Sequence, residues 1–321
     1  METGAIIHKP VMPEEVLEGL ALKAGGVYVD GTLGEGGHSA LILEREKSCR
    51  VIACEQDAVI ANIARRRLAP YGERIHIHEA NFESLSAVLK EEGAPAVDGI
   101  LLDLGISSFH YEASGRGFSF QRDEALDMRL GPGAGLTAAE LINGYSEREL
   151  IRVFRDYGEE RHAARIARAV LARRAKADIA GAQELAALIA ESVPRGPKYT
   201  RERIHPATRV FQAIRIEVNR ELEVLQAFLN GVLDLLRVGA RLCVISFHSL
   251  EDRIVKRFFR EHEAHCVCPR EALRCTCGCP GQLCAVPRRV VIAGEAEVRD
   301  NPRARSAKLR IAERIGHADA V

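Results

Sequence analysis

The chain has 321 residues, 47% hydrophobic and 28% charged, the balance of an ordinary globular protein with a full core. Its 45 basic and 45 acidic side chains cancel, which excludes a uniformly charged polyelectrolyte, and no apolar run approaches the ~20 residues of a membrane span. With no apolar leader at its start, the chain is expected to be cytoplasmic, its nine cysteines reduced or metal-bound rather than disulfide-bonded.

The cancellation hides a gradient. Residues 1–110 carry 10 Lys and Arg against 17 Asp and Glu, residues 111–220 carry 19 against 15, and residues 221–321 carry 16 against 13. An acidic first third and a basic remainder suit a polyanionic partner that docks away from the first third.

Taken in chain order, residues 27–104 alternate between two patterns. Strands are predicted over 27–30, 50–55, 74–78 and 97–104, and helices over 38–46, 58–68 and 84–91. Strands separated by short helices predict a parallel sheet with right-handed crossovers, an α/β fold of the doubly wound class. The pattern stops at 105. A glycine-rich stretch to 135 offers Phe118, Phe120 and Met128 as anchors, and Thr137-Ala-Ala-Glu140 and Ser146-Glu-Arg-Glu149 are capping-box signatures that head helices. Further helices are predicted over 159–176 and 182–192, so 111–204 forms an all-helical insertion and 1–110 with 205–321 a discontinuous α/β domain. After an irregular basic linker at 195–208, apolar residues at helical spacing (Phe211, Ile214, Val218, Leu222, Leu225, Leu229) predict one long helix over 209–236. A strand at 239–246, a helix at 249–263 capped by Ser249, and late strands at 290–293 and 307–312 complete the prediction.

The segment Asp30-Gly-Thr-Leu-Gly34-Glu-Gly36-Gly37-His38-Ser39 follows the first strand as an acidic, glycine-rich turn. Glycines there permit left-handed angles and close approach of a ligand to the backbone. Asp30 would repel a pyrophosphate, and Ser39 stands where a dinucleotide fingerprint wants Gly or Ala. A ligand with an ammonium and hydroxyls fits better, and S-adenosylmethionine has both. Glu55 ends the second strand 25 residues after Asp30, where a carboxylate can grip ribose hydroxyls. Asn81-Phe82 follows the third strand, and Phe82 is either core or a stacking partner for adenine. Asp103-Leu-Gly-Ile-Ser107-Ser108 follows the fourth. Asp103 either holds a target amine by accepting its hydrogen bonds or contacts the methionine part of the cofactor.

Residues 195–220 hold seven Lys or Arg against Glu202 and Glu217, either a phosphate-binding edge or a solvated helix face. Ser246-Phe-His248-Ser249 ends the strand at 239–246, and His248 is either a proton acceptor or part of a cap. Cys266, Cys268, Cys275, Cys277, Cys279 and Cys284 fall within 19 residues. They read equally well as free thiols or as a structural zinc site, with no catalytic metal implied.

Together these motifs resemble the bacterial 16S rRNA cytosine-N4 methyltransferases known as RsmH or MraW. The resemblance rests on the Asp30–Ser39 segment, Gly99-Ile-Leu-Leu-Asp-Leu-Gly105, Arg116-Gly-Phe-Ser-Phe120, Asp127-Met-Arg129, Tyr157-Gly-Glu-Glu-Arg161, the stretches 205–215 and 245–256, and Asn301-Pro-Arg-Ala-Arg305. It implies a class I methyltransferase fold (a Rossmann-like, mostly parallel sheet) with an inserted helical domain that helps recognise substrate. It also implies S-adenosylmethionine as methyl donor, and as target a decoding-centre (P-site) cytosine of 16S rRNA in the small ribosomal subunit. Carried onto this sequence, cofactor contacts fall on Gly36, Gly37, His38, Glu55, Phe82, Asp103 and His110, beside Asp30 from the motif itself. Asp103, Ser107 and His248 are the catalytic candidates, and Arg209, Arg215, Arg303 and Arg305 the RNA-binding ones. Two positions depart from the pattern: Glu55 stands where relatives often have Asp, and His110 where Gln is common. The rival readings are a methyltransferase for DNA or protein amines, and a non-catalytic RNA-binding protein.

Overall fold

The computed structural model describes residues 9–131, 135–194, 205–263 and 281–316. The chain divides into two compact units, one made of Met1–Gly105 and Val224–Val321, the other of Ile106–Glu223. The strands are β1 Val27–Asp30, β2 Arg50–Cys54, β3 Ile75–His78, β4 Val97–Asp103, β5 Leu236–Ser246, β6 Leu283–Ala285, β7 Val291–Ile292 and β8 Lys308–Arg314. The α-helices among the described residues are α1 Pro13–Leu20, α2 Gly37–Arg45, α3 Ala58–Leu68, α4 Leu85–Glu91, α5 Ser108–Glu112, α6 Ala138–Gly144, α7 Glu147–Asp156, α8 Ala163–Arg174, α9 Ala182–Ser192, α10 Pro206–Asn219, α11 Glu221–Leu235, α12 Ser249–His262 and α13 Glu295–Asp300.

The first unit is the α/β fold that the alternation predicts. All the strands form one sheet of order β3-β2-β1-β4-β5-β8-β6, with β7 on β8. Strands β3 to β5 run parallel, while β8 runs antiparallel to β5, β6 and β7. The central strands are apolar throughout because both faces are covered. Side-chain alternation sends Val29, Ile52, Leu102 and Val244 to one face, under α4, α11 and α12. It sends Tyr28, Val51, Leu101 and Ile245 to the other, under α1, α2 and α3. Gly99 makes room for the fully buried Tyr28, since an added Cβ would lie 2.9 Å from the Tyr28 ring.

The second unit packs α6 to α10 around its own core, which includes Leu141, Val153, Phe154, Ile166, Leu185 and Phe211. Both expected capping boxes are present, Thr137 with Glu140 and Ser146 with Glu149. Phe118 and Met128 are buried in this core, and Phe120 packs edge-on against Phe211 at 5.2 Å.

Several expectations need correction. The stretch 209–236 is two helices, not one. Arg220 takes a left-handed conformation (φ 51°) between α10 and α11. Asn219 fixes the break: its Oδ1 accepts from Leu130 N–H at 2.8 Å, and its Nδ2 donates to the Met128 carbonyl at 2.8 Å. The apolar stripe is thereby divided, Phe211, Ile214 and Val218 joining the helical core and Leu225 and Leu229 the sheet core. The compact units accordingly meet in sequence after Glu223, rather than ahead of residue 205. Helix α10 begins at Pro206, inside the stretch expected to be irregular. Helix α12 is capped by His248, not Ser249. Helix α8 starts at Ala163 rather than 159, because Glu159 is left-handed (φ 48°). Helices α1, α5 and α13 and the three-residue β6 have patterns too short for periodicity to detect.

Candidate active site

Strands β2, β1 and β4 are neighbours at the point where the strand order reverses, the place where open parallel sheets bind ligands at their carboxyl ends. Asp30 and Asp103 end β1 and β4, and Glu55 follows β2 directly. The loop after β1 is tied to both flanking strands: Gly31 N–H donates to the Leu101 carbonyl and Leu33 N–H to the Cys54 carbonyl, each at 2.9 Å. Gly36 is left-handed (φ 80°), and an added Cβ would lie 2.8 Å from Leu68 Cδ1, so conformation and space both demand glycine there. Gly37 meets only ordinary contacts with Pro10, so the fold alone does not require it. Helix α2 starts at Gly37 with no side-chain cap, leaving its first amides open to a ligand.

Asp30 is 1% exposed and turned inward. Ser39 Oγ donates to its Oδ2 at 2.7 Å and Thr32 N–H to its Oδ1 at 3.3 Å, with burial pushing the carboxyl's pKa up against those hydrogen bonds. Both of its oxygens are thus engaged within the turn. Ser39, the departure from a dinucleotide fingerprint, is the residue that satisfies it. Above this pair, His38 Nε2 and Asp103 Oδ2 stand 3.5 Å apart. Both His38 Nε2 and Asp103 Oδ1 are buried without a hydrogen-bond partner. Each such atom costs about 1–3 kcal/mol if left unsatisfied. An orphaned donor-capable ring and an orphaned carboxylate oxygen side by side fit a ligand that offers an acceptor and a donor together, as the amino-acid end of S-adenosylmethionine does. The Asp103 backbone is anchored separately, its N–H donating to Thr32 Oγ1 at 2.6 Å.

Glu55 accepts Gly34 N–H and Asp57 N–H on its two oxygens, each at 2.9 Å, and each oxygen keeps a lone pair for a hydroxyl. Burial, opposed by those two bonds and helped by Asp57 and Asp30, pushes its pKa up to about 7. The folded protein therefore holds a proton that the unfolded chain releases near the ordinary value of 4.5. Stability is then expected to fall as pH rises from about 4.5 to about 7, since the native state binds more protons across that window. Asp30 acts in the same direction. Glu55→Gln is expected to reduce the pH dependence of thermal unfolding over that window, leaving the part due to Asp30. An unchanged slope would show that Glu55 titrates normally.

Phe82 packs edge-on against Phe228 (5.6 Å, 87°) and is only partly buried, so it serves the core and still presents surface at the loop after β3. Asn81 is engaged locally, donating to Gln56 Oε1 at 2.8 Å and accepting Glu83 N–H at 3.0 Å. His248 caps α12 at the end of β5, its N–H reaching Glu251 at 3.3 Å and its Nε2 lying 3.0 Å from Glu251 Oε1 without hydrogen-bond alignment.

Ser107 and His110 belong to the second unit. Ser107 Oγ lies 3.3 Å from His110 Nδ1, and the His110 ring, 4% exposed, packs on Phe118 at 5.0 Å. Among the RNA candidates, Arg209 is exposed. Arg215 is not available: it forms a two-bond pair with Glu221 (2.7 and 2.9 Å) and is 11% exposed. Arg303 is half-buried and Arg305 exposed, both on the turn before β8. Of the cysteine cluster, Cys284 is exposed in β6, and the other five lie outside the described residues. No helix of the described residues is long and apolar enough to cross a membrane.

The chain is 50% identical over 311 residues to "Ribosomal RNA small subunit methyltransferase H" of Carboxydothermus hydrogenoformans, covering 97% of this chain and 99% of that protein. It is 50% identical over 309 residues to the protein of the same name from Geobacter sulfurreducens (96% and 99%) and 46% identical over 310 residues to that of Pelobacter propionicus (96% and 98%). Residues 5–315 match the model of the MraW methylase family, and the chain belongs to that family.

Proposed function

We propose that the protein transfers a methyl group from S-adenosylmethionine to the N4 amine of a decoding-centre cytosine in 16S rRNA of the small ribosomal subunit. The observation that carries this reading is the orphaned pair of His38 Nε2 and Asp103 Oδ1 at the switch point, in a chain whose curated relatives are small-subunit rRNA methyltransferases. Glu55 would hold the ribose, Phe82 the adenine face, and the open amides of α2 with His38 the amino-acid carboxylate. His110 is carried over from the family as a further contact. The helical unit would recognise the substrate.

When bound, S-adenosylmethionine supplies an electrophilic methyl group on a sulfonium. The protein's part is orientation and removal of water, because attack by a neutral amine discharges a cation and needs no strong nucleophile. Asp103 takes one of two duties with its open oxygen, accepting an N–H of the target amine or one from the amino-acid end of the cofactor. The amine must lose one proton as the carbon–nitrogen bond forms. His248, committed to its helix cap, is the weaker acceptor and Asp103 the better one. N4 takes part in base pairing, so the cytosine must be unpaired or splayed from its stack to reach this edge.

Methyl transfer from radiolabelled S-adenosylmethionine to small-subunit particles, naked rRNA, DNA and protein in parallel is the test. Label confined to small-subunit RNA is expected. Label in DNA or protein would replace the substrate class, and absence of S-adenosylmethionine binding by calorimetry would leave a non-catalytic RNA-binding protein.

A further inference from the structure

The helical unit pairs many of its arginines with carboxylates: Arg129 with Asp127, Arg152 with Glu217, Arg155 with Asp156, Arg173 with Glu184 and Arg215 with Glu221. Arg173 aside, the pattern reverses along α8 and the turns at its two ends. Arg161, Arg165, Arg168 and Lys176 are exposed and make no ion pair among the described residues; Arg168 only donates to the Ala164 carbonyl of its own helix at 3.1 Å. Arg165 and Arg168, within α8, share one side of the helix with the exposed Ala172, while Arg161 and Lys176 lie in the turns just before and just after it. The opposite side, Ile166, Ala167 and Val170, is fully buried. The result is a set of four exposed cations along α8 and its two ends, over roughly 20 Å, with no acidic residue between Arg161 and Lys176 in the sequence.

Such a set does nothing for the fold, because like charges at this spacing repel. The set also continues beyond the helix. Gly158 packs so closely that an added Cβ would lie 2.7 Å from the Arg209 carbonyl, which places the start of α10 against the turn leading to Arg161. Arg209 is exposed there and also makes no ion pair among the described residues. Helix α8 carries no aromatic side chain on which a base could stack.

We propose that this face of α8, extended by Arg209, is the docking surface for the phosphodiester backbone of the RNA substrate; the proposal rests on the rRNA reading above. Charge complementarity without stacking or base-edge donors makes it a surface for affinity and orientation, not for sequence.

The test is filter binding of a 16S rRNA transcript across a KCl series. Arg165→Gln, Arg168→Gln and Lys176→Gln combined should weaken binding roughly tenfold to hundredfold at about 0.15 M salt and lower the slope of log K against log salt by about 2–3. Calorimetric affinity for S-adenosylmethionine should stay unchanged. A control that removes the same charge from exposed positions of the other unit, Lys47→Gln, Arg66→Gln and Lys90→Gln, should alter neither quantity. An unchanged affinity and slope in the α8 variant, or an equal loss in the control, overturns the proposal. Wild-type methyl transfer to the same transcript, measured alongside, separates the two readings. Transfer with an unaffected α8 variant removes this surface alone, and no transfer to any small-subunit RNA removes the enzymatic reading.

Discussion

Replacing Asp103 with Asn is expected to slow methyl transfer by about 10²–10³-fold while leaving global stability unchanged or slightly raised. Asp103 keeps an oxygen buried without a partner beside an equally unsatisfied His38 Nε2. Such a group costs the empty fold something and gains its partner only when ligand arrives. Asn keeps the shape and the backbone bond to Thr32 Oγ1, but replaces one acceptor oxygen by a donor facing an amine that is itself a donor. Single-turnover transfer and calorimetry on the same variant separate the two duties open to this residue. A rate loss with unchanged cofactor affinity assigns Asp103 to the cytosine amine, and an equal loss of both assigns it to the methionine end. Full transfer together with full cofactor binding would remove Asp103 from the site.

Arg215→Ala is expected to cost about 2–4 kcal/mol of stability, read by urea unfolding, because it strands the Glu221 carboxylate of a two-bond, mostly buried pair. That pair spans the left-handed break at Arg220 and helps define where α10 ends. RNA affinity per folded molecule should be unaffected. A loss of RNA affinity with normal stability would return Arg215 to the nucleic-acid surface, where its place in a basic run first put it.

The sheet was legible because each central strand is a short apolar run closed by a turn, with a carboxylate at or just after three of the ends. Strands buried on both faces leave no other pattern. The candidate site was legible for the same reason, since Asp30, Glu55 and Asp103 mark the carboxyl edges of adjacent strands. What spacing could not show was which carboxylates face inward. Asp30 is satisfied by Ser39 and Thr32, while Asp103 is left open, a distinction that only packing makes.

The break at Arg220 was hidden because Val218, Leu225 and Leu229 keep helical spacing across it. It is set by Asn219 bonding to Met128 and Leu130, some ninety residues away. The basic face of α8 was hidden for a related reason. Residues 161–176 hold six Lys or Arg, but their pattern predicts only a helix, and it takes the structure to show that Arg161, Arg165, Arg168 and Lys176 stay exposed without an ion pair among the described residues. Glu221 and Glu217, near or within the 195–220 run, neutralise Arg215 and Arg152.

The most direct test of the central claim is to identify the modified nucleoside. Small-subunit rRNA from cells lacking this gene, treated with the purified protein and methyl-labelled S-adenosylmethionine, should yield label as N4-methylated cytidine from a single decoding-centre position by mass spectrometry. Label on carbon 5 of cytidine, on another base, or on no nucleoside would contradict the account.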